Sequence, residues 1–209
     1  MMHFQIERHA EVASTNDLAL ARGKAGAPEG TLILAEYQTA GRGRYGRHWT
    51  APHGKCILAS VILRHRLLRD EIALPNLIGA LSIAQAIHAT TRLAARIKMP
   101  NDVRIRKKKI AGALTELAAD RQRQPFFVLG FGVNVNITEE EFPPELRDTA
   151  TSVRIESNAD AEMCRGALLQ SILHRLEDTY LLLKSGKTDC ILKQVNTWKE
   201  REKEPRTNF

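Results

Sequence analysis

Gly41-Arg42-Gly43-Arg44-Tyr45-Gly46-Arg47-His48-Trp49 is the stretch on which the choice of fold turns. Its glycines at 41, 43 and 46 match the G-x-G-x-x-G spacing of a dinucleotide-binding turn. That reading requires a strand before the stretch and an apolar-periodic helix after it. A strand does precede it, since Thr31 to Tyr37 is apolar and β-like. No helix is expected to follow, because Trp49-Thr50-Ala51-Pro52-His53-Gly54 is turn chemistry. The stretch therefore belongs to a long loop, Gln38 to Gly54, and a doubly wound parallel sheet loses its main support. Glycines let backbone amides approach an anion, and Arg42, Arg44 and Arg47 can neutralise one. Trp49 adds an apolar or stacking surface at the edge. On these residues alone three uses stay open: closure over a phosphorylated or carboxylated ligand, a nucleic-acid arm, or a solvated basic loop.

Working outward, Phe4 to Arg8 reads as a short strand, and Ser14-Thr15-Asn16-Asp17 opens a helix carried by Leu18 to Arg22. Gly23, Gly26 and Pro28 end it. Beyond the loop, Cys56 to Leu63 reads as a strand. Leu74, Leu77, Leu81, Ala84 and Ile87 recur at helical spacing through Leu74 to Thr91. Ala95 to Lys98 and Val103 to Arg106 read as strands around Pro100-Asn101-Asp102, followed by strands over Lys109 to Ala118 and Phe126 to Asn136. Met163 to Leu183 is the longest amphipathic helix, with Leu168, Leu169, Ile172, Leu173, Leu176 and Tyr180 on one side. A last short helix covers Thr188 to Trp198, and the charged tail from Lys199 to Phe209 is expected to be loose. Strands and helices do not alternate regularly, so a mixed sheet is expected rather than a parallel one.

The 209 residues suffice for one core of ordinary size and a small appendage. No window of about eighteen uninterrupted apolar residues occurs, so no membrane span is expected. Met1 to Glu11 lacks the apolar core of a signal peptide, which makes a cytoplasmic location the expectation. Cys56, Cys164 and Cys190 form no C-x-x-C pair, so buried free thiols are expected rather than disulfides or a zinc cluster. His48 and His53 flank Trp49 without sharing a ligand face, and no protein-borne metal site is expected. Lys plus Arg number 31 against 24 Asp plus Glu, a net charge of +7 that suits an anionic ligand or an acidic partner.

The loop does not stand alone. Ser14-Thr15-Asn16 precedes it, and Glu36-Tyr37-Gln38-Thr39-Ala40 leads into it. Lys98-Met99-Pro100-Asn101-Asp102, Lys109-Ile110-Ala111-Gly112-Ala113-Leu114-Thr115-Glu116 and Gly130-Phe131-Gly132-Val133-Asn134-Val135-Asn136 follow in order. This ordered set resembles the biotin protein ligase family, from Val12 to Asn136 and more faintly to Leu183. The resemblance implies an α+β fold of the class II aminoacyl-tRNA synthetase-like, biotin–lipoate ligase type: a mixed β-sheet with helices on one side. The catalytic domain would span residues 1–186, with a C-terminal helix and tail over 187–209. The implied activity is an ATP-dependent ligase. Biotin's carboxylate attacks the α-phosphate of ATP, giving biotinyl-5′-AMP and pyrophosphate. A lysine of a biotin carboxyl carrier protein, of acetyl-CoA carboxylase or a related carboxylase, then attacks the mixed anhydride. ATP and Mg²⁺ are implied with biotin as substrate; neither DNA nor a membrane is, and a homodimer is left open. A lipoate or octanoate ligase or transferase shares the fold, although the arginine–glycine loop favours biotin. A non-catalytic biotin- or nucleic-acid-binding module is the reading from a different class.

Two anions must meet in this chemistry, so the site needs fixed positive charge more than a base. By resemblance, Arg44 would hold carboxylate and phosphate and retain the adenylate, and Lys109 would reach both as a mobile point charge. These two are the expected catalytic residues, although Lys107 and Lys108 beside Lys109 also suit a plain surface run. Gly41, Arg42 and Gly43 would line the same loop around biotin. Ser14, Thr15, Asn16 and Gln38 would serve its ureido ring, and Gly112 would let backbone approach it; read alone, Ser14 to Asn16 is a helix cap. Arg47, Trp49, Asn101, Asp102 and Asn134 are expected at the nucleotide, Trp49 and Asn134 beside the adenine and Asn101 and Asp102 near its Mg²⁺. Read alone, Pro100-Asn101-Asp102 is a turn. Met99 departs from the tryptophan usual in the family, and altered packing rather than lost chemistry is expected. No helix-turn-helix precedes Met1, so a repressor role is not expected. The family commonly adds a small C-terminal β-barrel; no complete one is expected within the residues up to Phe209, which would bear on ATP affinity and transfer efficiency.

Overall fold

A computed structural model of the chain describes residues 2–200. Seven strands and five helices run in the order β1 (Gln5–Val12), α1 (Thr15–Lys24), β2 (Thr31–Gln38), β3 (Cys56–Leu63), α2 (Leu74–Thr91), β4 (Arg96–Lys98), β5 (Asp102–Ile105), β6 (Lys108–Ala119), β7 (Pro125–Asn134), α3 (Val153–Ser157), α4 (Arg165–Lys184) and α5 (Thr188–Trp198). The strands form one sheet in the order β1-β2-β3-β7-β6-β5-β4. Helix α1 carries the chain across from β1 to its parallel neighbour β2, and every other pairing is antiparallel. The sheet is mixed, as the irregular order of elements implies. Arg106 and Lys107 both take positive φ (47° and 72°), the two-residue turn whose twist suits a tight hairpin between β5 and β6.

The period-two alternation of the buried strands gives the sheet two apolar faces. Leu32 and Leu34 of β2, Ile57, Ala59 and Val61 of β3, and Phe127, Leu129 and Val133 of β7 belong to the larger core, with α2, α4 and α5. The resemblance implies helices on one side only; α2, α4 and α5 do share this side, but α1 does not. Helix α2 is buried around most of its circumference because it lies between the sheet and α4. Gly79 lets it sit close: a Cβ there would lie 2.9 Å from Ala113 Cβ. Helix α1 adds a second cover, on the opposite face, where Ala19 packs with Ile33, Ile62, Phe126 and Val128. Along that face of β3, β6 and β7 the same alternation then reaches Ser60, Gly112, Gly130 and Gly132. Small residues there leave a depression beside the N-terminus of α1.

Three local expectations change. All three cysteines are free, but only Cys56 is buried; Cys164 caps α4 and Cys190 lies in the exposed first turn of α5. Burial pushes the Cys56 thiol up to about 12, which keeps it an unreactive core group. Lys199 and Glu200 do not hang loose: Lys199 bridges Ile97 in parallel, and the Glu200 amide donates to the Ile97 carbonyl at 2.8 Å. The rest of the charged tail lies outside the described residues. Finally, β1 runs on to Val12, because its pairing with β2 continues to Gln38. Among the described residues no helix is long and apolar enough to cross a membrane.

One partly buried polar cluster ties the helical layer to the sheet. Glu29 accepts from the Tyr180 hydroxyl, from Lys184 Nζ at 2.9 Å and from the Arg64 amide at 3.2 Å. Burial works to raise the Glu29 carboxyl, but these donors outweigh it and hold the group below the ordinary carboxylate range. Such a group stabilises the fold above its unfolded pKa and loses that contribution as pH falls through its lowered folded value. Glu29→Gln is therefore expected to cost about 1–3 kcal/mol at neutral pH. Urea unfolding of both proteins should show the difference shrinking between neutral and strongly acidic pH.

Candidate functional site

Helix α1 begins at the depression. Its N-cap, Ser14, is extended (φ −153°, ψ 133°) but its side chain makes no capping hydrogen bond. The first free amide of the helix, Thr15 N, donates instead to Gln38 Oε1 at 2.7 Å. Thr15 Oγ1 lies 3.0 Å from the same oxygen and 2.7 Å from Ser60 Oγ, which in turn lies 2.6 Å from Asn16 Oδ1. An amide oxygen only accepts, so the Ser60 proton serves Asn16 and leaves the Thr15 hydroxyl as donor in this chain. Asn16 Nδ2 donates to Glu116 Oε2 at 2.7 Å, with the Leu114 carbonyl at 3.4 Å. Ser14, Thr15, Asn16 and Ser60 are all buried. The helix-cap reading of Ser14 to Asn16 thus gives way: their backbone starts a helix, while Thr15 and Asn16 spend their side chains on a polar wall.

Two glycines of β7 make that wall possible. A Cβ at Gly130 would lie 1.9 Å from Asn16 Oδ1, and one at Gly132 would lie 2.5 Å from Trp49 Cε2. The glycine–arginine loop is more ordered than the sequence suggests. Arg42 and His48 form an isolated antiparallel bridge, the Gly43 amide donates to the Arg47 carbonyl at 2.7 Å, and the Trp49 amide donates to the Gly41 carbonyl at 2.9 Å. A single 3-10 turn at Arg44–Gly46, with Tyr45 at φ 60°, reverses the chain. The loop is a short hairpin, and no helix opens after Gly46, which removes the dinucleotide fingerprint.

Hairpin and sheet enclose a small cavity lined by Ser14, Thr15, Asn16, Gln38, Arg42, Gly43, Arg44, Trp49, Asn101, Lys109 and Gly112 of the expected set. Arg44 NH1 donates to Asn101 Oδ1 at 3.3 Å, and its NH2 to the Tyr45 hydroxyl at 2.9 Å. Asn101 Nδ2 is fixed by the Ala113 carbonyl at 2.7 Å, so this residue is a turn and an anchor together. Lys109 Nζ pairs with Asp102 at 2.7 Å and sits 5.5 Å from the centre of the Trp49 ring. Lys108 turns to the Arg147 carbonyl, and Lys107 lies in the exposed hairpin turn, so Lys109 is the lysine of the run that faces the cavity. Trp49 Nε1 is buried with no hydrogen-bond partner.

Four expected residues stand off the cavity. Gly41 is buried at the base of the hairpin, where a Cβ would meet the Trp49 carbonyl at 2.4 Å. Arg47 is exposed on the outer side of the hairpin, over the Tyr45 ring. Asp102 is held against Lys109, just behind the lining. Asn134 is buried, donating to the Thr151 carbonyl at 3.0 Å and accepting from Cys56 Sγ at 3.7 Å. Met99, in the tryptophan's place, is exposed and lines no part of the cavity. Ser60, Glu116, Leu114, Gly130, Phe131 and Gly132 had no expected role. Except for Ser60 they all fall within quoted motifs, and the two glycines in one strand carry a signal of their own, since a close approach is the usual reason for them.

A profile of the Biotin/lipoate A/B protein ligase family matches residues 9–134. The chain is 38% identical over 169 residues to a "Bifunctional ligase/repressor BirA" of Bacillus spizizenii, covering 81% of this chain and 51% of that protein. It is 39% identical over 146 residues to a "Biotin--[acetyl-CoA-carboxylase] ligase" of Mycobacterium tuberculosis, covering 68% of this chain and 53% of the relative. The chain thus spans about half the length of these relatives. A solved "Biotin protein ligase from Aquifex aeolicus in complex with biotin and ATP" superposes with a TM-score of 0.74 at 28% identity, covering 86% of this chain and 72% of that one. The mixed seven-stranded sheet is the class II aminoacyl-tRNA synthetase-like fold of such proteins.

The closeness of Asn16 to β7 gives a direct check on the wall. Gly130→Ala forces the amide or the strand to move and is expected to lower stability by about 1–3 kcal/mol. Chemical denaturation measures that cost. An NMR spectrum should place the main perturbations at Thr15, Asn16 and Ser60.

Proposed function

Because the chain belongs to the biotin/lipoate A/B protein ligase family, we propose that it activates biotin with ATP and passes it to a lysine of a biotin carboxyl carrier protein. One observation carries this reading: two cations, Arg44 and Lys109, share one cavity with a polar wall of buried Thr15 and Asn16 and half-buried Gln38. A ligand with a neutral hydrogen-bonding ring at one end and a carboxylate at the other matches both parts. The ureido ring takes the wall, and the carboxylate faces the cations.

The first half-reaction brings a carboxylate to a phosphate. The carboxylate oxygen attacks the α-phosphorus, the bond to the β-phosphate breaks, and pyrophosphate leaves. Like charges about 4 Å apart repel by about 4 kcal/mol at an effective dielectric near 20, so counter-charge matters more than proton transfer. Lys109 is compact enough to lie between the two anions, and Arg44 can span carboxylate and phosphate with its planar fork. Both have partners that a stronger anion can replace: Asp102 for Lys109, Asn101 and Tyr45 for Arg44. In the second half-reaction a carrier lysine attacks the acyl carbon of the mixed anhydride and AMP departs. Trp49 supplies an aromatic surface to the nucleotide, and its unpartnered Nε1 has a hydrogen bond to give. We assign Asn134 a supporting place beneath the adenine, through its buried bonds. No cluster of three or more His, Cys, Asp or Glu that could hold a metal occurs among the described residues. Mg²⁺ would arrive with the triphosphate, and Asp102, beside Lys109, is the carboxylate placed to meet it.

The family also includes lipoate ligases, and the wall favours biotin over lipoate. A dithiolane ring offers no strong partners to Thr15, Asn16 and Gln38, whereas a ureido ring can add hydrogen bonds to those the wall already makes within itself.

Incubation with biotin, ATP and Mg²⁺ is expected to release pyrophosphate in proportion to biotin, and lipoate is expected not to compete. Absence of biotin-dependent pyrophosphate rejects the reading. Arg44→Ala is expected to release the adenylate on the order of a hundredfold faster, as measured by rapid filtration with labelled biotin.

A further inference from the structure

The sequence motif from Lys109 to Glu116 ends on a carboxylate that the proposed chemistry leaves without a task. Glu116 lies on β6, half-buried, outside the inner cavity and on the outer flank of the hairpin. Its Oε2 accepts from Asn16 Nδ2 at 2.7 Å and from Arg42 NH2 at 2.9 Å, and its Oε1 lies 3.2 Å from the same guanidinium nitrogen. Asp17, on α1, takes that nitrogen from the other side at 2.5 Å. One nitrogen of the loop thus bridges a carboxylate on the helix and a carboxylate on the sheet. With Arg42 withdrawn, Asp17 and Glu116 would face each other uncompensated. Seating the hairpin therefore relieves a repulsion as well as forming two ion pairs.

The same carboxylate sets the direction of the Asn16 amide. Because Nδ2 is committed to Glu116, Oδ1 is committed to Ser60. Reversing the amide would point two acceptors at each other, Asn16 Oδ1 against Glu116. We propose that Glu116 is a positioning residue: it latches the cationic hairpin through Arg42 and, through Asn16, fixes the hydrogen-bonding polarity of the ligand wall. The wall half of this role rests on the biotin reading; the latch half does not. Exposed ion pairs are individually weak, and Arg42 and Asp17 are exposed, but Glu116 is half-buried and couples the shared guanidinium to a buried amide.

Glu116→Gln separates the parts, since a Gln carbonyl still accepts from Asn16 but carries no charge for Arg42. Two measurements on the full chain test the role. The first is limited trypsin cleavage at Arg44 and Arg47 without ligand, expected to accelerate several-fold as the hairpin loosens. The second is biotin affinity by calorimetry, with the kinetics of biotin-dependent pyrophosphate release. Glu116→Gln is expected to raise Kd and KM for biotin about fivefold to tenfold, with kcat within about twofold. In an Arg42→Ala background the same substitution is expected to change Kd by less than about twofold, because the partner is already gone. Asp17→Asn, farther from the wall, is expected to accelerate cleavage in the same way and gives a second variant should Glu116→Gln fold poorly. A wild type that binds no biotin overturns the reading of the site. A wild type that binds, with both carboxylate variants unchanged in cleavage and affinity, overturns the role of Glu116. So does a Glu116→Gln effect of equal size in the two backgrounds, which would make it independent of Arg42.

Discussion

The site depends on how closely a helix N-terminus can approach the face of a β-strand. Side chains normally keep α1 and β7 apart by the thickness of a packed layer. At Gly130 there is no side chain, and the Asn16 amide occupies the space that a Cβ would need. The approach lets Thr15 and Asn16 reach Ser60 on the neighbouring strand, and lets Glu116 and Gln38 complete the wall from either side. The apolar half of the same face, Ile33, Ile62, Phe126 and Val128 under Ala19, holds the far end of α1 down. Burial there provides the adhesion, and the glycines convert it into contact between polar groups. The same logic recurs one pair along, where Gly132 receives the Trp49 indole and so seats the far end of the hairpin.

The electrostatics follow from that geometry. The cations nearest the cavity have partners: Arg42 with Asp17 and Glu116, Lys109 with Asp102, Arg44 with the neutral Asn101 and Tyr45. The differences among these partners matter. Arg42 has two carboxylates and gains little from a third anion, which suits a structural link. Arg44 has none, so an incoming carboxylate or phosphate meets an uncompensated guanidinium. Lys109 stands between, paired once, with Asp102. A division between holding the loop and meeting the ligand is thus written in the partners rather than in the residue types.

Much of the fold was legible because its elements obey simple periods. Helix α2 announced itself at Leu74, Leu77, Leu81, Ala84 and Ile87, and the strands by length and turn residues. The opposite placement of α1 was not legible. A short helix with Ala19 as its buried apolar anchor carries too little amphipathic signal to choose a face. Within the site, Arg44, Lys109, Thr15, Asn16 and Gln38 could be named because their types suit two anions and a polar ring. Ser60 could not, since a serine within Cys56 to Leu63 reads as an incidental member of an apolar strand. Its role comes from a register, Ser60 against Gly130 and Gly130 against Leu114, that only pairing reveals. Glu116 was visible as the end of a motif, but its two partners lie on α1 and on the loop, which chain order does not bring together.

The position of the loop explains why it is rich in both glycine and arginine. Gly41 is buried against the Trp49 backbone, where a Cβ would lie 2.4 Å from its carbonyl oxygen, so the base of the hairpin needs a residue without one. Gly46 takes φ +72°, with nothing near a Cβ, so there the demand is for conformation rather than room. Between those fixed points the side chains diverge: Arg42 outward to its two carboxylates, Arg44 inward, Arg47 onto the outer surface over Tyr45. A hairpin that turns one guanidinium into the cavity and keeps its neighbours at the surface is served by this spacing. Glycines allow the reversal, one arginine ties the hairpin to α1 and β6, and the next is delivered to the cavity. The motif is therefore a mechanical arrangement as much as a charge pattern, which is why its basic residues cannot be exchanged for one another despite identical charge.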